Sequence, residues 1–148
     1  MGTGIQMELA LESAGTSVIS ASSFDLDHPP RSILEDISTF WMSTGSYPQE
    51  LIVQLGELSM IKSVDLVCTG IRSIELAKGD GSQANSWEPV SKEEAGDAEG
   101  DVQRLSLDIP SRLGATHLRV KILSGWADYV TIHRVSVIGA SGGGNPKK

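Results

Sequence analysis

Alternation of apolar and polar residues with a period of two runs through most of this chain. His117-Leu118-Arg119-Val120-Lys121-Ile122-Leu123 reads polar, apolar, polar, apolar. Successive side chains of a strand point to opposite faces, so this segment is a strand with one buried face. Leu51, Val53 and Leu55 alternate in the same way with Ile52 and Gln54. The pattern predicts further strands over Ile5–Leu11, Ser17–Ala21, Met60–Cys68, Ile71–Ala77, Val102–Ile109 and Val130–Ile138. Gly, Ser, Pro and Asp separate these short β-prone runs, as in a sandwich or barrel. No long stretch holds a capped helical period; a single helical turn is expected around Arg31–Asp36.

With 148 residues, 5% aromatic and 16 Gly, the chain has the length of one turn-rich β domain with a core of its own. The expected boundaries are one domain over residues 1–139 and a disordered Gly-rich tail over 140–148. A formal charge of −7 argues against nucleic acid, whose phosphates demand clustered Lys and Arg. It argues equally against docking on anionic lipid by charge. No run approaches the ~20 apolar residues of a membrane span. The N-terminus lacks a basic region followed by an apolar stretch, so no secretion signal is expected. The one cysteine, Cys68, lies in an apolar run and reads as a reduced core residue in a cytosolic-type compartment.

Much of the negative charge is concentrated. Residues 79–101 carry Asp80, Glu88, Glu93, Glu94, Asp97, Glu99 and Asp101 against Lys92 alone. Such an insertion is either a solvated hairpin loop or a docking surface for a basic partner. Its acids do not follow the spacing of an EF-hand. Trp126-Ala127-Asp128-Tyr129 joins two strong strand candidates. Trp126 and Tyr129 either plug the end of the sandwich, anchor a protein interface with Asp128, or stack on a sugar.

Catalytic signals fail on inspection. Gly139-Ala140-Ser141-Gly142-Gly143 matches G-x-S-x-G, but five residues follow it and none is acidic or His. His28, His117 and His133 have no zinc spacing. There is no phosphate-binding glycine loop. The chain does not read as an enzyme.

The stretch His28–Trp41 combines Pro29 and Pro30, the adjacent carboxylates Glu35 and Asp36, the Thr39 hydroxyl and a large aromatic. Carboxylates, a hydroxyl and turn carbonyls from one short loop suit a hard cation such as calcium. The alternative stands beside it: Glu35 and Asp36 as exposed turn residues, Thr39 capping backbone amides and Trp41 in the core.

Ala21-Ser22-Ser23, His28-Pro29-Pro30, Ile33, Thr39-Phe40-Trp41, Thr44-Gly45 and Pro48-Gln49-Glu50 together resemble galactose-binding-like jelly-roll domains of the discoidin type. Within that group the chain is similar to the intraflagellar transport 25 family, over roughly residues 5–139 with the late strands around Leu118-Arg119-Val120 and Val130–Gly139. The resemblance implies an all-β antiparallel jelly-roll sandwich of eight or nine strands, with one structural Ca2+ in the first long loop. Carried onto this chain, the metal set is Ser32 through its carbonyl, Glu35 or Asp36, and Thr39. The family's Asp-Gly pair is replaced here by Glu35-Asp36-Ile37, and Ile138 stands where members often have a Glu. Fewer anionic ligands weaken affinity. The resemblance also implies a non-enzymatic subunit of transport complex B in the cilium or flagellum, the basal body region and the cytoplasm. Its partners there are a Rab-like small GTPase, the 27 subunit, and other subunits of that complex. Two rivals remain: a carbohydrate-binding module of the same fold and, with less in its favour, a holdase chaperone.

Overall fold

Leu51, Val53 and Leu55 are buried, and Leu118, Val120 and Ile122 meet them from the neighbouring strand. Leu51 pairs with Val120 and Val53 with Leu118, so two alternating patterns are placed in phase. A slip of one residue would turn both sets to solvent, which is why the register is specified. In this computed structural model residues 7–10, 15–23, 26–34, 39–79 and 87–141 are described. Among them eight strands form, all paired antiparallel: β1 (Met7–Glu8), β2 (Ser17–Ala21), β3 (Trp41–Met42), β4 (Gln49–Thr69), β5 (Ile71–Gly79), β6 (Glu88–Glu94), β7 (Gln103–Gly125) and β8 (Thr131–Ser141). A 3-10 helix over Pro30–Leu34 supplies the turn expected there.

β4 and β7 organise the fold. They run 21 and 23 residues, and their pairing shifts register between Gln54 and Ser59 and again between Ile61 and Ser63. Before the shifts, β4 lies between β2 and the second half of β7; beyond them, it lies between β8 and the first half of β7. β5 and β6 extend the first layer, and β1 and β3 join the second through β8. The result is the expected jelly-roll sandwich with two long strands common to both layers. Its interior is filled by Leu51, Val53, Leu76, Leu118 and Ile122 from one layer and Val64, Leu66, Leu107, Val135 and Val137 from the other. Burial of each such side chain contributes about 1.5–3 kcal/mol.

Two departures from the sequence pattern have physical reasons. Pro110 and Gly114 suggest a break between Val102–Ile109 and His117–Leu123, yet one strand crosses both. β4 pairs on both sides of Pro110, Met60 with Gly114 and Ile61 with Leu113 before a register shift, and Ser63 with Asp108 after it. The acidic stretch 79–101 is not loop throughout: Glu88–Glu94 forms β6, paired along β5. Pro89, Glu93 and Glu94 suit a sheet edge, where charge and a missing N–H discourage further pairing. The tail expected to be disordered lies, from residue 142 on, outside the described residues.

Candidate functional site

The first long loop is held by its aromatic residues. Trp41 is fully buried and its indole N–H donates to the Ser23 carbonyl at 2.9 Å. Phe40 stacks on His28 with ring centres 4.2 Å apart and meets His133 of β8 at 5.1 Å. Ile33 and Leu34 anchor the 3-10 helix in the core. Ser32 is buried; its N–H donates to the Pro29 carbonyl at 3.0 Å, and its own carbonyl lies 3.5 Å from the Thr39 hydroxyl, which donates to it. The structure therefore brings together two of the four residues proposed for a metal, as neutral oxygens on either side of residues 35–38. Glu35 and Asp36 lie outside the described residues. Among the described residues no group of three or more His, Cys, Asp or Glu converges as a metal site.

A second feature lies at the end of the sandwich where three connections meet. The β4–β5 turn at Gly70, the β6–β7 connection at Asp97–Gly100 and the β7–β8 connection at Trp126–Tyr129 enclose a cavity of about 280 Å³. Gly70 has φ +78 and a Cβ there would stand 3.1 Å from the Tyr129 carbonyl, so the turn requires glycine. Trp126 and Tyr129 do not plug the sandwich: they are 44% and 51% exposed and line the cavity. Trp126 is nonetheless fixed. Its backbone N–H donates to Gly70 at 2.8 Å, its indole N–H to the Ala95 carbonyl at 2.9 Å, and the Arg72 guanidinium lies 4.8 Å from the ring centre.

Asp128 does not line the cavity. Its charge acts instead on Tyr47, whose phenol pKa is raised first by burial and then by Asp128. The Tyr47 hydroxyl donates to the Ala127 carbonyl at 2.8 Å, which ties the β7–β8 connection to the loop before β4. Asp97 and Glu99 also line the cavity, and sequence reading did not connect them with Trp126. The only local signal was the turn pair Glu99-Gly100; the two segments are close only because β5, β6 and β7 are paired side by side.

Two residues singled out by their chemistry are placed as follows. Cys68 is fully buried, and desolvation pushes its thiol up to about 12, so it is not a nucleophile. Ser141 of the G-x-S-x-G match ends β8, with Gly142 and Gly143 outside the described residues. No helix among the described residues is long and apolar enough to cross a membrane.

No family model matches the chain. Three relatives do. Intraflagellar transport protein 25 of Chlamydomonas reinhardtii is 30% identical over 134 residues, covering 89% of this chain and 69% of that protein. The intraflagellar transport protein 25 homologs of Homo sapiens and Mus musculus are 28% and 29% identical, covering 90% of this chain and 93% and 94% of those proteins. Among solved structures, the family 32 carbohydrate-binding module of Clostridium perfringens NanJ, in complex with galactose, has a TM-score of 0.77 at 18% identity, over 90% of this chain and 99% of that one. A second such module from that organism, in complex with GalNAc-β-1,3-galactose, has a TM-score of 0.73 at 17% identity, over 88% and 99%. At those identities the likeness is one of fold.

Proposed function

The chain belongs to the intraflagellar transport protein 25 family, and on that premise we propose that it is a non-enzymatic subunit of intraflagellar transport complex B, joined in a heterodimer to a Rab-like small GTPase. The observation that carries this reading is the match to the relatives over about nine-tenths of the chain. The fold suits the role: two layers sharing β4 and β7 make a rigid body whose loops and faces can be contacted without rearrangement. Trp126, Asp128 and Tyr129 offer the GTPase an anchored but exposed aromatic loop at one end. Large aromatics already held in place lose little freedom on binding. The workplace is the cilium or flagellum, with the basal body region and the cytoplasm as the route to it.

A structural calcium in the first loop belongs to the same proposal. Ser32 through its carbonyl and Thr39 through its hydroxyl supply neutral oxygens, and Glu35 or Asp36 supplies the charge. The ion would fix the loop against β8 and do no chemistry.

Co-expression with the Rab-like GTPase, followed by size-exclusion chromatography in buffered calcium, tests the heterodimer. One-to-one co-elution is expected. Separate elution of two folded chains would remove this reading. Carbohydrate binding would then come forward, since the exposed Trp126 and Tyr129 are of the kind that stack on sugar rings, and a glycan array would test it.

A further inference from the structure

The cavity at the end of the sandwich combines features that neither the fold nor a simple apolar contact requires. Its walls hold two exposed aromatic rings, Trp126 and Tyr129, and two carboxylate residues, Asp97 and Glu99. Among the described residues no Lys or Arg lines it; Arg72 stacks on the indole but is not a lining residue. The acidic character continues outward along the sheet edge through the exposed Glu93 and Glu94 of β6, in a protein of net charge −7. We propose that this groove receives a lysine or arginine side chain carried by an extended basic segment of a partner protein. The proposal rests on the reading of this end as a partner contact, and not on that partner being the GTPase.

Each component matches that occupant. A cavity of about 280 Å³ lies just below the range that takes a drug-sized molecule, and suits one long side chain. The methylene stem of Lys or Arg packs on aromatic surface while its head remains polar, and a cation over Trp or Tyr is attracted by the ring quadrupole. Trp126 already holds the guanidinium of Arg72 at 4.8 Å, an internal precedent for the contact. Acids beside the rings favour a cation over a neutral sugar, because full charge attraction adds to the hydrogen bonds that a sugar's hydroxyls would also give those carboxylates. A bare divalent ion is a poorer match: Asp97 Oδ1 already accepts the Glu99 N–H at 2.9 Å, and no third acid, His or Cys converges with the pair among the described residues. The three walls are held before binding, by the Trp126 hydrogen bonds to Ala95 and Gly70 and by the Asp101 N–H to the Ala98 carbonyl at 3.0 Å.

The test uses the full chain, isotope-labelled, titrated with the peptide acetyl-Gly-Lys-Gly-Lys-Gly-amide. The indole N–H of Trp126 and the amide of Gly100 report on the groove. Saturable shifts at both are expected at millimolar peptide, with affinity falling several-fold between about 20 and about 200 mM salt as the charges are screened. The same peptide with acetylated lysines should shift neither. Glu99→Asn removes the charge but keeps a residue that tolerates positive φ, so it folds; it should weaken binding about threefold or more. Tyr129→Ser, on an exposed position, should weaken it similarly. Absence of shifts, shifts indifferent to acetylation, or shifts produced by galactose or calcium in place of the peptide would each overturn the proposal. Co-elution with the GTPase is scored separately: a heterodimer without peptide binding leaves the heterodimer standing and removes the groove, and the converse result does the reverse.

Discussion

Gln103 and Ile71 form a closed pair, the side-chain amide of one against both backbone polar groups of the other. The Ile71 N–H donates to Gln103 Oε1 at 2.9 Å, and Gln103 Nε2 donates to the Ile71 carbonyl at 2.8 Å. The same Nε2 reaches the Gly96 carbonyl at 3.1 Å, so one buried amide joins the start of β5 to the β6–β7 connection beside the groove. Gln103→Ala would leave a buried donor and acceptors unpaired, at about 1–3 kcal/mol for each group. Urea unfolding should register a loss of about 2–4 kcal/mol. A loss below about 0.5 kcal/mol would mean water replaces the amide and the pair is dispensable.

Glu99 has φ 55, a left-handed conformation that costs a residue with a Cβ about 1–2 kcal/mol. Glu99→Gly should therefore raise stability, by about 0.5 kcal/mol once the greater freedom of glycine in the unfolded chain is counted. Glu99→Val should lower it. Thermal melts of the two variants check the sign; the same direction for both would show that the backbone is not held as described.

Burial of Cys68 raises its pKa from an ordinary 9.0 to about 12, by desolvation of the thiolate. Between those values the unfolded chain releases a proton that the folded one keeps. Stability is thus fully present below pH 9 and falls as pH rises toward 12, with a slope of up to about 1.4 kcal/mol per pH unit. Tyr47 adds to this above its ordinary 10.0, since burial and then Asp128 raise it too. Cys68→Val should flatten the slope near pH 9–10, and Tyr47→Phe should flatten it above 10 while loosening the link to Ala127. A native thiol that reacts with a disulfide reagent at pH 8 as fast as free cysteine would contradict the burial.

If calcium fills the first loop, it stabilises the folded state by mass action, about 2.7 kcal/mol at a hundred times its dissociation constant. Addition of calcium should raise Tm and a chelator should lower it, with Thr39→Ala shrinking the difference. Asp36→Asn and Glu35→Gln, made separately, identify which carboxylate ligates. A melting temperature indifferent to calcium in the parent protein would leave the loop held by its packing, with Trp41, Phe40, His28, Ile33 and Leu34, and by its own hydrogen bonds.

The strands with strict alternation, around Leu51–Leu55 and His117–Leu123, were legible because one face is buried and the other wet. What escaped was continuity. Pro110 and Gly114 carry local turn signals, yet β4 pairs with Gly114 and on either side of Pro110, with Leu113 and Asp108. The edge strand β6 was hidden by its charge, since six of its seven residues are other than aliphatic and its pairing with β5 supplies what its side chains do not. At the groove, Trp126 and Tyr129 could be singled out as aromatics in a tight connection. Asp97 and Glu99 could not be joined to them, because their proximity is made by strand pairing about thirty residues away along the chain. Gln103 likewise looks like any polar residue beginning a strand until its partner is known.

The passage of β4 and β7 through both layers has a consequence for inheritance. Loss of β4 or of β7 takes backbone from both layers at once, whereas loss of β5 or β6 takes it from the first layer alone. Neither layer is complete without these two long strands, so the gene can vary at its ends and in its connections but cannot drop β4 or β7 and still encode this sandwich.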